Sequence, residues 1–68
     1  MSTFQREILR LAEVRRRTGL PTSTIYKKIG DREFPRQVPI GFRTVGWLSD
    51  EVDGWIAKQV AKRDQATP

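Results

Sequence analysis

The chain has 68 residues, a net charge of +5 and a pI near 10.5. It contains neither Cys nor His, which excludes disulfide staples, zinc fingers, and thiol or imidazole catalysis. This length supports one small domain with a thin core. No apolar run approaches the roughly 18 residues of a membrane span or the core of a signal peptide, so a cytoplasmic location is expected.

The charge is unevenly spread. Residues 1–36 hold nine Lys/Arg against four Asp/Glu, and residues 37–68 hold four of each. All the excess positive charge lies in the first half, and a polyanion is the natural partner.

The chain reads as a single domain over 1–68, with flexible ends at 1–7 and 64–68. Met1 to Arg6 carries no periodicity, although Phe4 can fold back onto the core. Ile8-Leu9-Arg10 reads as a short strand or extended lead-in. A first helix is expected over Ala12–Thr18, with Glu13 in its first turn, where the helix dipole favours an acid. Leu11, Val14, Thr18 and Leu20 should bury. Arg16 points away from Val14, with Arg15 and Arg17 to either side. Cations complement a helix C-terminus, but three consecutive arginines exceed what a dipole needs.

Gly19 then provides a left-handed exit from the first helix. Pro21, Thr22 and Ser23 are start signals for a second helix, which Gly30 ends. At about 100° per residue, Ile25 and Ile29 point inward. Ser23 and Lys27 point outward, with Thr24 and Tyr26 beside them, and no carboxylate lies on this face. Two short helices, a tight Gly-containing turn and surrounding cations form the pattern of a helix-turn-helix. The bland alternative is an ordinary solvated helix face. Turn, caps and charge together favour the DNA reading.

Asp31-Arg32-Glu33 is a polar link. Pro35 forbids helix at Phe34, which reads as a buried plug rather than a base-stacking aromatic. Val38 to Leu48 reads as a small hairpin with its tip at Gly41 to Thr44. Pro39 marks an edge strand, and Gly46 marks a bulge or a close backbone approach. Arg43 lies near the tip, where it can contact phosphate or the minor groove. A third helix is expected from Asp50 to Arg63, with Ser49 as its N-cap and Asp50 and Glu51 in its first turn. Val52, Trp55, Ile56 and Val60 make one apolar stripe on it. Trp47 and Trp55 are assigned to the core. No internal repeat is visible.

The blocks 9–14 (LRLAEV), 18–26 (TGLPTSTIY), 34–35 (FP), 45–47 (VGW) and 51–56 (EVDGWI) resemble the AlpA-type prophage regulators. These belong to the wider excisionase-like and MerR-like winged helices. The resemblance spans roughly residues 8–63, and its specificity lies in the joint order of the blocks. It implies a mainly α fold with a small β-hairpin: a winged helix-turn-helix. It also implies a recognition helix at Thr22–Ile29 and a wing at Ile40–Val45. Two residues depart from the pattern. Relatives often carry a basic residue in place of Thr22 and a small residue in place of Phe42.

The candidate contacts to double-stranded DNA are Arg15, Arg16, Arg17, Thr22, Ser23, Thr24, Tyr26, Lys27, Lys28 and Arg43. No cofactor, metal or catalytic residue is expected. The leading function is a sequence-specific transcription regulator of prophage or mobile-element type. The alternative is an excisionase that bends DNA for an integrase; a protein-interaction or packaging module is third. An enzyme is disfavoured, because Asp50, Glu51 and Asp53 sit where helix capping explains them. Integrase and RNA polymerase are candidate protein partners. The free protein is expected to be a monomer that binds cooperatively on DNA.

Overall fold

The computed structural model describes residues 7–66. The elements follow in the order β1 (Ile8–Leu9), α1 (Leu11–Thr18), α2 (Thr22–Gly30), β2 (Val38–Gly41), β3 (Thr44–Leu48) and α3 (Ser49–Ala66). Residues 1–6, including Phe4, and residues 67–68 lie outside the described residues.

The three strands form one antiparallel sheet in the order β1-β3-β2. Ile8-Leu9-Arg10 therefore begins as a true strand, with Ile8 opposite Leu48 and Leu9 opposite Trp47. Pro39 lies on the edge strand β2, which needs no outward N–H donor there. The β2–β3 register slips between Pro39 and Gly41, so the irregularity falls on β2 and not at Gly46. Gly46 marks the close approach instead. A Cβ there would stand 2.4 Å from Ile8 Cγ2 and 3.1 Å from the Leu9 carbonyl oxygen.

The core consists of Leu9, Val14, Ile25, Phe34, Trp47 and Val52, contributed by every element except β2. Trp47 is fully buried at the centre. Its indole N–H donates to the Pro35 carbonyl at 3.1 Å. Trp55 donates likewise to the Glu33 carbonyl at 2.7 Å, and its ring meets Phe34 edge-on at 5.0 Å. The two tryptophans thus hold the 33–35 link at its carbonyls, and Phe34 is buried between those anchor points as the plug its Pro35 neighbour implied.

Trp55 itself is only half-buried, and Val60 is exposed, so the apolar stripe of α3 reaches the core only over its first half. The physical reason is length. Eighteen residues span about 27 Å, more than a sheet this small can cover. α3 also runs three residues beyond Arg63.

Both helix ends of the motif are closed by backbone. Gly19, at φ 74°, closes α1 with its N–H on the Arg15 carbonyl at 2.8 Å. Thr18 supports this turn, donating from its hydroxyl to the Val14 carbonyl and accepting the Leu20 N–H. α2 ends at Gly30, but the left-handed residue is Arg32, at φ 62°. The Arg32 N–H bonds the Ile29 carbonyl and the Glu33 N–H bonds the Lys28 carbonyl, the paired closure of a Schellman turn.

Ser49 has a different task from the expected cap. It opens α3 as a buried residue, and its hydroxyl accepts the Glu7 N–H at 2.9 Å. Its own N–H donates to the Glu7 carbonyl at 2.7 Å. Glu7 is thereby clamped to the start of α3. The Asp50 carboxylate takes the Glu51 N–H in the first turn.

Candidate nucleic-acid interface

α2 packs through Ile25, fully buried, and Ile29, half-buried. The opposite face presents Ser23, Tyr26 and Lys27 to solvent, with Thr22, Thr24 and Lys28 half-exposed at its borders. Tyr26 is held in place because one edge of its ring meets Trp47 at 6.2 Å and 64°. Its body thus leans on the core while the residue remains 39% exposed.

The start of α2 carries no side-chain cap. Pro21 occupies the N-cap position, and neither Thr22 nor Ser23 bonds back onto the helix amides. The capping role expected of those hydroxyls is therefore absent. The first amides of α2 are without a side-chain partner at the positive end of the helix dipole, the local condition that favours a phosphate. A shallow notch lined by Ala12, Arg15, Arg16, Gly19, Leu20 and Pro21 adjoins that end.

The three consecutive arginines do three different things. Arg16 and Arg17 both donate to Glu13, at 2.6–2.9 Å. These bonds, with the Arg16 contact the larger cause, hold the Glu13 carboxyl down at about 2 and raise the Arg16 pKa in return. Arg17 also reaches Asp53 at 3.5 Å, tying α1 to α3. Arg15 is exposed and makes no ion pair among the described residues. Lys27 and Asp31 pair one turn apart at 3.4 Å, with both side chains largely in water. Lys28 pairs with Glu33 at 3.7 Å.

At the hairpin tip, Phe42 is 87% exposed. The Arg43 guanidinium stacks 5.2 Å from the centre of its ring. Arg43 has a left-handed backbone, φ 56°, and the Thr44 hydroxyl closes the turn on the Phe42 carbonyl at 3.0 Å. Such a φ is uncommon for a residue with a side chain.

The expected contact residues thus divide. Ser23, Tyr26, Lys27 and Arg15 are exposed on the helix-turn-helix, and Arg43 is exposed on the wing. Arg16 is exposed but chelated, and Arg17 and Lys28 are partly buried in ion pairs. Sequence reading missed Glu13 as the hub of the arginine cluster. The signal was available in its spacing of three and four residues from Arg16 and Arg17. Among the described residues, no group is placed to hold a metal ion, and no helix is long and apolar enough to cross a membrane.

No solved structure matches the chain. A protein of Enterobacteria phage P4, named only as the uncharacterized ORF88, is 46% identical over 59 residues, covering 87% of this chain and 67% of that protein. The DNA-binding transcriptional activator AlpA of Escherichia coli K12 is 34% identical over 58 residues, covering 76% of this chain and 83% of that one. The family described as "Prophage CP4-57 regulatory protein (AlpA)" matches residues 7–60, which include α1, the turn, α2, the whole hairpin and most of α3. The chain is a winged helix-turn-helix protein that belongs to the AlpA family of prophage regulatory proteins.

Proposed function

We propose that the protein is a cytoplasmic, sequence-specific DNA-binding regulator of prophage or mobile-element transcription. α2 lies in the major groove in this reading, and the wing tip lies against the neighbouring backbone or minor groove. The observation that carries it is the outward face of α2. Hydroxyl, phenol and ammonium groups stand there without a carboxylate among residues 22–30, beside helix amides that lack a side-chain cap. Hydroxyls and ammonium suit phosphates and base edges alike. Arg15 and Arg43 add cations on either side of that helix in the chain. The similarity to a transcriptional activator supports regulation over recombination. The absence of His and Cys leaves no ordinary catalytic base beyond scattered carboxylates.

Tight specificity asks for more than one copy. One short recognition helix and one wing offer too small a footprint for the roughly 10³–10⁷ specificity ratio of a good regulator. In this reading the free protein is a monomer, and copies bind side by side on DNA. Phe42, exposed at the wing tip, supplies the neighbour contact or wedges at a base step.

Mapping the bound sites across the host genome tests the reading. Occupancy of a promoter operator supports regulation. A tandem array confined to an attachment site makes the protein an excision factor acting with an integrase. Absence of discrete sites removes sequence-specific binding altogether. Equal single-site and two-site affinities per copy, or cooperativity unchanged in Phe42→Gly, would remove the role of the wing tip.

A further inference from the structure

An open groove of about 950 Å³ runs between the 32–38 link and α3, and none of the exposed α2 or wing-tip residues lines it. Its apolar surface comes from Phe34, Pro35, Val38 and Trp55. Its cations are Arg32 and Arg36 from the link and Lys58 and Lys62 from α3. All four are exposed, and none makes an ion pair among the described residues. Two acids line it as well. Glu33 is already paired with Lys28, and Glu51 sits in the first turn of α3.

The α3 side of the groove is a single stripe. Glu51, Trp55, Lys58 and Lys62 recur at helical spacing; Trp55 borders the core through Phe34, while Val52 lies wholly within it. Trp55 is half-buried, with its N–H already bonded to Glu33. What it offers the groove is therefore apolar ring, the kind of anchor that concentrates energy at protein interfaces. A phosphodiester backbone would satisfy the cations but leave that apolar surface wet. An amphipathic acidic segment satisfies both.

We propose that this groove docks an acidic segment of a partner protein, with carboxylates on Arg32, Arg36, Lys58 and Lys62 and an apolar side chain against Trp55. A DNA-bound regulator could thereby engage a second protein while α2 remains on DNA. A second copy of this chain is a poor occupant on charge, since the whole protein carries +5. Its own first six residues, Met1 to Arg6, contain no acid.

The test uses a fluorescein-labelled 12-residue peptide in which Asp and Glu alternate with Leu and Phe. Its binding to the full chain is followed by anisotropy, alongside an Asn/Gln version of the same peptide. The wild type should bind the acidic peptide at least tenfold more tightly than the neutral one. The double variant Lys58→Glu/Lys62→Glu, checked for an unchanged thermal melt, should lose at least tenfold. It should also gain binding of a Lys/Arg counterpart peptide. Equal binding of acidic and neutral peptides, or of acidic peptide by wild type and variant, overturns the proposal. A second arm measures duplex DNA. If the double variant flattens the salt slope by about two units, the groove is a phosphate track and the proposal fails. If wild type sediments as a dimer that the double variant dissociates, a second copy is the occupant and the proposal fails. The peptide arm needs no DNA, so its outcome is separable from that of the regulator reading.

Discussion

Two glycine-to-alanine substitutions should move stability in opposite directions. Gly46 lies on β3, the central strand, where a Cβ would meet Ile8 Cγ2 at 2.4 Å, the Leu9 carbonyl oxygen at 3.1 Å and Ile40 Cδ1 at 3.4 Å. Ile8 is partly exposed and can rotate, but a β-branched side chain leaves its preferred rotamer at a cost. The Leu9 carbonyl belongs to a residue paired with Trp47, so β1 must also retreat by a few tenths of an ångström. Overpacking of this kind costs about 1–3 kcal/mol. In a domain of this size each kcal/mol shifts Tm by roughly 4–8 °C. Gly46→Ala should therefore lower Tm by roughly 4–24 °C. At Gly54, in the interior of α3, an added Cβ would meet no atom within 4 Å beyond its chain neighbours and its own helix backbone. Gly54→Ala should stabilise by about 1 kcal/mol through helix propensity alone and raise Tm by roughly 4–8 °C. Thermal melts followed by circular dichroism decide both. A Gly46→Ala melt equal to wild type would show that β1 does not press on β3 as described.

Four further substitutions follow from backbone and charge. Arg32→Gly relieves a left-handed residue and should add about 1 kcal/mol, read as a higher Tm; a lower one would contradict the Schellman closure. Glu13 has a folded-state pKa of about 2, below its ordinary 4.5. Its contribution is present above about 4.5 and is lost as pH falls towards 2, so Glu13→Gln should flatten acid destabilisation across that window. Identical acid limbs for the two proteins would remove the arginine chelate from the account. Arg15→Ala should weaken binding to all DNA sequences alike, whereas Arg17→Ala should chiefly lower Tm, by about 0.2–1 kcal/mol of stability, as the α1–α3 tie is lost. Equal DNA defects with no thermal change in Arg17→Ala would return that residue to the interface.

The elements were readable because local signals were strong and independent. Gly19 at the turn, the Ile25/Ile29 spacing and Pro35 after Phe34 each have one main physical meaning, and the structure bears each out. What the sequence could not supply was long-range. Nothing local marks Ser49 as the clamp for Glu7, forty-two residues away, rather than a helix cap. The periodic stripe of α3 looks equally apolar at Val52 and Val60, yet only Val52 has a sheet beneath it. For the candidate interface, residue types and helix face were legible, but not which cations were already paired. Arg16 and Arg17 look like Arg15 until Glu13 and Asp53 are placed beside them.

A salt titration on DNA decides whether the exposed face of α2 meets a polyanion. Fluorescence anisotropy of a labelled duplex should give log K falling against log salt with a slope of about −3 to −4, set by roughly four phosphate contacts from the exposed cations Arg15, Arg16, Lys27 and Arg43. On the preferred site, Ser23→Ala and Lys27→Ala should also narrow the gap between specific and random DNA. Affinity independent of salt, with neither variant changing that gap, would contradict the assignment of α2 as a recognition helix.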